Sequence, residues 1–383
     1  MALFKTPEYT LIGSKALEEA KPYLKKCGKK ALIVTGKHVV LSDMMAELKK
    51  ALEEIGIAYF VFDGITGEPT NVMIDEGIAA YKENGCDFCI GIGGGSPLDS
   101  AKAIAAMITN EGKIADYNGK VIEKPIPPVV AIPTTAGTGS EATQFTVITD
   151  VEKDIKMLLK GGYLVPKIAI VDPAYTYSAP KSITAATGMD ALTHAIEAYT
   201  SRKALPVTDT LAVSAVKRIM KYLPAAYKDG SDEKARYEMS VASYEAGICI
   251  NNSTVTLVHG MSRPIGALFH VAHGISNAML LTKCLAFALD GAYEKFANLG
   301  REIGAATAED DDKTASEKFI EALNEICKIC EIPTLLEYGI PKDDFFAHME
   351  KMAHDALTSG SPGNTMKPIS EQDIIEIYKK LWE

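Results

Sequence analysis

The sequence has no apolar run that could cross a membrane. A transmembrane helix needs about 18 or more consecutive apolar residues, and no stretch of this 383-residue chain reaches that length. The segment MALFKTPEYT at the start of the sequence also lacks the apolar core of a secretory signal peptide. We therefore expect no membrane partner and a cytoplasmic location.

The chain also lacks an excess of positive charge. Its 50 Asp and Glu residues outnumber its 40 Lys and Arg residues, which gives a formal net charge of −10. This balance argues against nucleic acid as a partner, because phosphate backbones are bound mainly by Lys and Arg. A small anionic substrate is not excluded, since it responds to local potential rather than to net charge.

Cysteine is sparse, and the seven Cys residues suggest no disulfide framework. Cys86 and Cys89, like Cys327 and Cys330, have the C-x-x-C spacing of half a four-thiolate zinc site. The two pairs are far apart in sequence, and the first lies in a predicted strand, where positions i and i+3 point to opposite faces. We reject a zinc module and expect reduced thiols, as in a reducing compartment.

Strand-like and helix-like segments alternate in the first half of the chain. Short apolar runs such as Ala31–Thr35 alternate with amphipathic segments such as Met44–Ile55, which predicts a mostly parallel sheet with helices on both faces. After Pro180 the strand signals fade and long Ala-, Leu- and Glu-rich segments follow. Because the chain exceeds the size of one usual core, we predict an α/β domain over residues 1–180 and an all-helical domain over 181–383.

A glycine-rich turn follows the predicted strand 87–92. The turn contains Gly93, Gly94 and Gly95. Glycines let backbone N–H groups approach an anion closely. Ser96 is a good N-cap, Pro97 suits the first helical position, and Asp99 completes a capping-box-like pattern. A strand, a glycine turn and a capped helix predict a pyrophosphate site. The alternative is a plain β–α turn, since the third glycine of G-x-G-x-x-G is missing.

Four of the seven His residues fall between positions 190 and 273, together with one notable Asp. Asp190 and His194 lie four residues apart in GMDALTHAIEAY, a predicted helix on which such positions share a face. His259 and His273 follow, each beside a glycine. D-x-x-x-H spacing is common by chance, so the clustering of the scarce His residues carries the prediction. One carboxylate and three imidazoles suit a divalent transition metal such as Fe²⁺, Zn²⁺ or Mn²⁺.

These motifs resemble the iron-containing (group III) alcohol dehydrogenases. The resemblance rests on GMDALTHAIEAY, VHG, HGISNAMLL, GGGSPLDSAKA and PTTAGTGSE, and it thins toward the C-terminus. It implies a dehydroquinate synthase-like architecture, with a dinucleotide-binding α/β domain and a metal- and substrate-binding helical domain. It also implies NAD(P)-linked hydride transfer involving a small aldehyde or alcohol, Fe²⁺ as the expected ion, and a homodimer or larger homo-oligomer. The family's metal ligands correspond to Asp190, His194, His259 and His273.

The resemblance assigns further cofactor contacts. It places the GGGS loop and Asp99 at the pyrophosphate and Lys156 at the nucleotide, for which a solvated hairpin lysine is the alternative. At the nicotinamide half it places Thr134, Thr135 and Thr138.

One departure from the family bears on the choice of cofactor. Members that prefer NAD commonly carry Asp where Gly36 stands, and that carboxylate accepts from the ribose 2′-OH and repels a 2′-phosphate. Here Lys37 and His38 follow the glycine. We therefore expect NADP(H) to be used as well as NAD(H).

Other departures concern the substrate, with Arg263 and His270 as candidate catalytic residues. Arg263 stands four residues after the third ligand, where many relatives have His. A guanidinium suits carboxylate or sulfonate groups, which favours an anionic aldehyde such as sulfoacetaldehyde or succinic semialdehyde. A salt bridge with an acidic neighbour is the alternative. His270 is assigned either a proton relay or a packing role. Phe145 and Ile250 differ from residues that line the pocket in some relatives, so diol or lactaldehyde activity is not carried over.

The sequence is compatible with three classes of function. The leading one is a metal-dependent NAD(P)-linked alcohol dehydrogenase working mainly as an aldehyde reductase, with neutral short-chain aldehydes or diols as alternative substrates. A dehydroquinate-synthase-type lyase would need several cations near the metal, and only Arg263 and Lys283 occur near the ligands in sequence. A non-catalytic subunit would leave buried His and Asp residues idle, at a cost in desolvation.

Overall fold

The computed structural model describes residues 3–383 as two compact units. The first unit ends at Ala179, and the second runs from Pro180 to Glu383. Within the described residues, every strand lies in the first unit, and the second unit is built from helices. The predicted fold class, an α/β part followed by an all-helical part, is confirmed.

Eight strands form a parallel sheet and a hairpin in the first unit. They are β1 (Tyr9–Ile12), β2 (Lys30–Val34), β3 (Ala58–Phe62), β4 (Phe88–Gly93), β5 (Val129–Pro133), β6 (Phe145–Asp150), β7 (Ile155–Lys160) and β8 (Ile168–Val171). The sheet order is β1-β8-β5-β4-β2-β3, and all of its pairings are parallel. β6 and β7 form an antiparallel hairpin.

Helices cover both faces of this sheet. They are α1 (Ala16–Leu24), α2 (Lys37–Val40), α3 (Asp43–Glu54), α4 (Asn71–Glu83) and α5 (Gly95–Thr109). Alternate residues of β2 point to opposite faces. Ala31 and Ile33 therefore join a core with α1 and α3, whereas Leu32 and Val34 join a core with α4 and α5. The buried strands explain the nearly continuous apolar runs in the sequence.

The second unit contains nine α-helices within the described residues. They are α6 (Lys181–Tyr199), α7 (Pro206–Lys228), α8 (Glu233–Asn252), α9 (Leu257–Phe269), α10 (His273–Ala288), α11 (Tyr293–Glu302), α12 (Asp312–Ile329), α13 (Lys342–Thr358) and α14 (Glu371–Lys380). None of the helices described in either unit is both long and apolar enough to span a bilayer.

The two C-x-x-C pairs belong to different units of the chain. All seven are free. Cys86 and Cys89 belong to the first unit, and Cys89 lies inside β4. Cys327 and Cys330 lie at the end of α12 in the second unit. Burial raises the pKa of the Cys330 thiol to about 12, so this group stays protonated at neutral pH.

Candidate active site

The glycine turn joins β4 to α5 at the carboxyl edge of the parallel sheet. Gly93 has φ +147°, which L side chains rarely adopt, and a Cβ atom there would lie 2.6 Å from Cγ of Pro97. Only glycine therefore fits this position. The carboxyl edge of a parallel sheet is where such folds bind nucleotides.

The helix begins earlier than the sequence predicts. Its N-cap is Gly94, which offers no side-chain cap, so Ser96 and Pro97 are the second and third helical residues. The predicted N-cap role of Ser96 and the capping box are therefore wrong. With glycine at the cap, no side chain satisfies the first N–H groups, which suits a helix terminus that binds an anion.

Asp99 instead ties α5 to the segment before β6. Its carboxylate accepts hydrogen bonds from Ser140 Oγ at 2.5 Å and from the backbone N–H of Val147 at 2.8 Å. Lys102, one turn further on and fully buried, donates from Nζ to Ser140 Oγ at 2.8 Å and to the carbonyl of Phe145 at 2.9 Å. Burial lowers the pKa of Lys102 to about 8. The burial of this lysine is not visible in the sequence, because S-x-K within an Ala-rich helix looks like an ordinary exposed turn.

This network holds the predicted threonines beside the glycine turn. The N–H of Thr134 donates to the carbonyl of Gly93 at 2.8 Å. A Cβ atom on Gly95 would lie 2.8 Å from Cγ2 of Thr138, and one on Gly94 would lie 3.7 Å from Thr135. The structure thus brings together the glycine turn and all three threonines.

The remaining cofactor candidates lie elsewhere on the first unit. Gly36 is the extended N-cap of α2, and a Cβ atom there would lie 2.8 Å from the carbonyl oxygen of Ile65. An Asp would therefore need a backbone shift at this position. Lys37 and His38 are exposed. Lys156 is also exposed, and its ammonium pairs with Glu68 Oε1 at 2.7 Å.

The four predicted metal ligands meet in the second unit. Asp190 and His194 lie one turn apart on α6, His259 lies in the first turn of α9, and His273 begins α10. The Nε2 atoms of His259, His273 and His194 lie 3.6, 3.7 and 3.8 Å from Asp190 Oδ1. Ligand atoms of Asp190, His259 and His273 all lie within 4.8 Å of one another. The ring of His194 stacks on that of His259 with a centroid distance of 4.6 Å.

These distances fit a bound transition metal. Four ligands at bonds of about 2.1 Å in a tetrahedron are separated by about 3.4 Å, close to the spacing around Asp190 Oδ1. Asp190, His194 and His259 are buried, whereas the His273 side chain keeps 46% of its exposure. The cluster is therefore accessible at His273.

A close helix contact places His273 against Asp190. A Cβ atom on Gly274 would lie 2.2 Å from the carbonyl oxygen of Ala186 on α6. The glycine therefore allows the start of α10 to touch the backbone of α6. This contact explains why the VAHG sequence carries a glycine directly after its histidine.

Glu197 is a site residue that the sequence analysis missed. It is fully buried on α6, and its carboxylate lies 2.5 Å from His259 Nδ1. Thr256 Oγ1 and the N–H of Val258 also donate to it, at 2.8 and 2.6 Å. A carboxylate that accepts from Nδ1–H leaves Nε2 as the ligand atom. Its position seven residues after Asp190, on the same helical face, could have revealed it.

Both carboxylates of this cluster are held in the ionised form. Burial by itself would raise the pKa of Asp190, but the surrounding imidazoles of His194, His273 and His259 hold it well below its usual range. Burial likewise opposes ionisation of Glu197, but His259 and Thr256 lower its pKa. A buried anion without cations would be costly, so this arrangement favours a cationic occupant.

Arg263 lies one turn after His259 on α9. Its Nη1 donates to Ser361 Oγ at 3.0 Å, which is the side chain's only hydrogen bond within residues 3–383. It forms no ion pair with any described carboxylate, so the predicted alternative of a salt bridge is not found. Burial lowers the pKa of the guanidinium, and the charge of Glu197 opposes this effect.

The other predicted catalytic and substrate residues show no hydrogen bond to the ligand cluster in the described chain. His270 is the exposed C-cap of α9 at φ 53°, and within the described chain it makes no hydrogen bond to the cluster. Ile250 is buried in α8, and Phe145 is half-buried at the start of β6. Their roles toward a substrate stay predictions.

The chain is similar to known proteins over almost its whole length. A family model described as iron-containing alcohol dehydrogenase matches residues 7–173, and one for the C-terminal part of the Fe-containing alcohol dehydrogenase family matches residues 184–382. The chain is 38% identical over 382 residues to the NAD-dependent methanol dehydrogenase of Bacillus methanolicus, with 99% of each chain covered.

Solved structures agree with this result. The fold matches the crystal structure of a 1,3-propanediol oxidoreductase with a TM-score of 0.95 and 34% identity, over 100% of both chains. It also matches the sulfoacetaldehyde reductase of Bifidobacterium kashiwanohense in complex with NAD⁺, with a TM-score of 0.88 and 28% identity, over 100% of this chain and 98% of the other. The fold and the family matches together define an NAD-linked oxidoreductase that acts on alcohols or aldehydes. The chain belongs to the iron-containing alcohol dehydrogenase family.

Proposed function

We propose that this protein is a metal-dependent NAD(P)-linked alcohol dehydrogenase that works mainly as an aldehyde reductase. The observation that carries the proposal is the set of three imidazole Nε2 atoms 3.6 to 3.8 Å from one carboxylate oxygen of Asp190. The ligands would be Asp190, His194, His259 and His273, with Fe²⁺ as the first candidate and Zn²⁺ or Mn²⁺ as alternatives. Membership of the family favours this activity over the lyase.

Each group of residues has a defined task in this proposal. A bound divalent ion supplies Lewis-acid polarisation of the substrate oxygen. Glu197 fixes the ring of His259 so that Nε2 faces Asp190. In the first unit, the uncapped N-terminus of α5 binds the pyrophosphate of the dinucleotide, and Thr134, Thr135 and Thr138 orient its nicotinamide half. A dinucleotide bound there would supply hydride to the carbonyl carbon, or accept it in the reverse direction.

Removal of the metal tests this proposal. We expect dialysis against a chelator to reduce NADH oxidation with short-chain aldehydes at least about 100-fold, because no side chain of the site replaces a Lewis acid. Adding back Fe²⁺ or Zn²⁺ without oxygen should restore the rate. The measurement pairs metal content by mass spectrometry with absorbance at the NADH band. Full turnover by protein freed of metal would refute the metal-dependent mechanism.

We further propose that NADPH is accepted. Gly36 offers no carboxylate to repel a 2′-phosphate, and Lys37 is exposed directly after it. We expect kcat/KM for NADPH to lie within about tenfold of that for NADH. Lys37→Ala should lower the NADPH value about fivefold, which corresponds to one exposed charge interaction. The NADH value serves as the internal control and should stay unchanged. Turnover with NADH alone would exclude this proposal.

The substrate that we favour is a small aldehyde with an anionic tail. Arg263 lies one turn from a metal-ligand candidate, has no carboxylate partner within the described chain, and keeps donors available beyond its bond to Ser361. A similar solved structure is that of a sulfoacetaldehyde reductase, which supports the same chemistry. The alternative is a neutral aldehyde or diol, as in the propanediol oxidoreductase that the fold also matches.

Two wider features complete the proposal. We propose a cytoplasmic location, which the seven free cysteines support because thiols persist in a reducing compartment. We also propose a homodimer or larger homo-oligomer, for which the family resemblance is the support.

A further inference from the structure

Asn277 contacts three of the four candidate ligand residues. It lies on α10, one turn after His273, and is fully buried. Its Nδ2 atom is 2.7 Å from Asp190 Oδ1, 3.1 Å from His259 Nε2 and 3.2 Å from His273 Nε2. These are the same atoms that would bind the metal. No residue motif in the sequence assigns a role to this asparagine.

The three contacts differ in whether they can persist when a metal ion binds. A carboxylate oxygen has two lone pairs, so Asp190 Oδ1 can accept from Nδ2 and bind a cation together. An imidazole Nε2 has one lone pair, so a cation there displaces the amide. The contact to Asp190 is also the shortest and is charge-assisted. The amide can therefore keep its hydrogen bond to Asp190 when a metal is bound. Its contacts with His259 and His273 exist only in the metal-free protein.

The amide oxygen of Asn277 indicates which contacts determine the orientation of the side chain. Asn277 Oδ1 is buried and has no hydrogen-bond partner within residues 3–383. Leaving a buried acceptor unpaired is unfavourable. Nothing at the Oδ1 side offsets that cost, so the contacts of Nδ2 with the ligand atoms determine how the side chain is held.

We propose that Asn277 is a positioning residue of the metal centre, whose side-chain N–H groups hold Asp190 in place and keep the ligand atoms of His259 and His273 together before the metal binds. This inference rests on the proposed metal site. It assigns no chemistry to Asn277 itself. Asn277 affects metal binding indirectly. It orients Asp190, and it lowers the free-energy cost of bringing together three ligands from three helices.

The test measures metal affinity and stability rather than activity. Zn²⁺ affinity is determined by competition with a chromophoric chelator, and thermal midpoints are recorded for metal-free and Zn²⁺-loaded protein. The variants are Asn277→Ala, which removes the donors, and Asn277→Asp, which keeps the shape but replaces the donors with a second carboxylate. Ser276→Ala is the matched control, because Ser276 is a buried neighbour on α10 whose hydroxyl bonds to the carbonyl of Ser262 instead.

A positioning role predicts a specific pattern. Asn277→Ala should weaken Zn²⁺ binding about 10- to 100-fold, and Ser276→Ala should leave it unchanged. Asn277→Asp should have the lowest midpoint without metal, since two carboxylates then face each other, and the largest gain on adding Zn²⁺. If Asn277→Ala does not fold, Asn277→Ser, which keeps one donor, should show an intermediate affinity.

A packing role predicts something else. Zn²⁺ would then raise the midpoint of Asn277→Asp by no more than that of the wild type, and Asn277→Ala would lose equal stability with and without Zn²⁺ at unchanged affinity. Either result overturns the inference. Wild-type protein that binds no Zn²⁺ would instead overturn the proposed function, so the two failures are distinguishable.

Discussion

Asp190→Asn is expected to abolish metal binding and to lower kcat/KM at least about 10³-fold, or about 4 kcal/mol. The substitution keeps the shape of the side chain but removes the only carboxylate among the four candidate ligands. Three imidazoles surround its Oδ1 atom at 3.6 to 3.8 Å. A neutral amide binds a cation far less strongly than a carboxylate does. Metal content by mass spectrometry and NADH oxidation check both effects on the same sample.

A second helical carboxylate serves as the control for Asp190. Asp355 on α13 pairs with Lys351 at 2.6 Å in an i, i+4 arrangement at the surface. Asp355→Asn should leave both metal content and turnover within about twofold of the wild type, because exposed pairs contribute little. Asp190→Asn protein that retains stoichiometric metal and normal turnover would contradict the assignment of the whole cluster.

Arg263→Met is expected to reduce kcat/KM for an anionic aldehyde about 100-fold, which corresponds to about 2.7 kcal/mol. The guanidinium has one hydrogen bond, to Ser361, and no described acidic partner. It can therefore give two parallel hydrogen bonds to a carboxylate or sulfonate, each worth about 1.5–3 kcal/mol. Methionine keeps much of the apolar volume of the arginine stem. Succinic semialdehyde and sulfoacetaldehyde are the substrates to assay.

Neutral aldehydes of similar length distinguish loss of anion recognition from general damage to the active site. Their kcat/KM should fall less than about threefold in Arg263→Met, since they make no charged contact. Arg263→Lys, which keeps the charge but loses the planar fork, should give an intermediate loss for the anionic substrates. Equal losses for charged and neutral aldehydes would remove the anion hypothesis and leave the neutral or diol alternative.

Local patterns were sufficient to predict most of the architecture. β2 and β4 are buried on both faces, so their apolar runs are unmistakable, and no strand follows β8 within the described residues. β1 and α1 were missed. β1 pairs with β8, which lies at the other end of the unit, and no local pattern reveals such a distant partner. β1, an edge strand of the parallel sheet, is short and only half-buried. Its sequence therefore shows little hydrophobic periodicity.

The candidate site divides in a similar way. Three of the four candidate ligands, His194, His259 and His273, belong to a scarce residue type, and their clustering with Asp190 is visible in the sequence. Glu197, Asn277 and Lys102 are residue types that occur everywhere on helix surfaces. Their burial and their partners are set by tertiary packing, which a single sequence does not display, although the seven-residue spacing of Glu197 from Asp190 indicates that both share one helical face. The Ser96 prediction failed for a related reason. The helix begins two residues earlier than predicted, with Gly94 as its N-cap, directly after Gly93 at its positive φ.

The placement of the four candidate ligands on three helices has a consequence for the lifetime of the protein. Asp190 and His273 lie at the two ends of a chain segment that contains α7, α8 and α9. An ion held by both closes that segment into a loop, much as a cross-link does, and so reduces the entropy of any partly opened state. Loss of the ion would thus free this segment to open and expose it to proteases. Cellular metal supply would then set how long the enzyme survives as well as how fast it works.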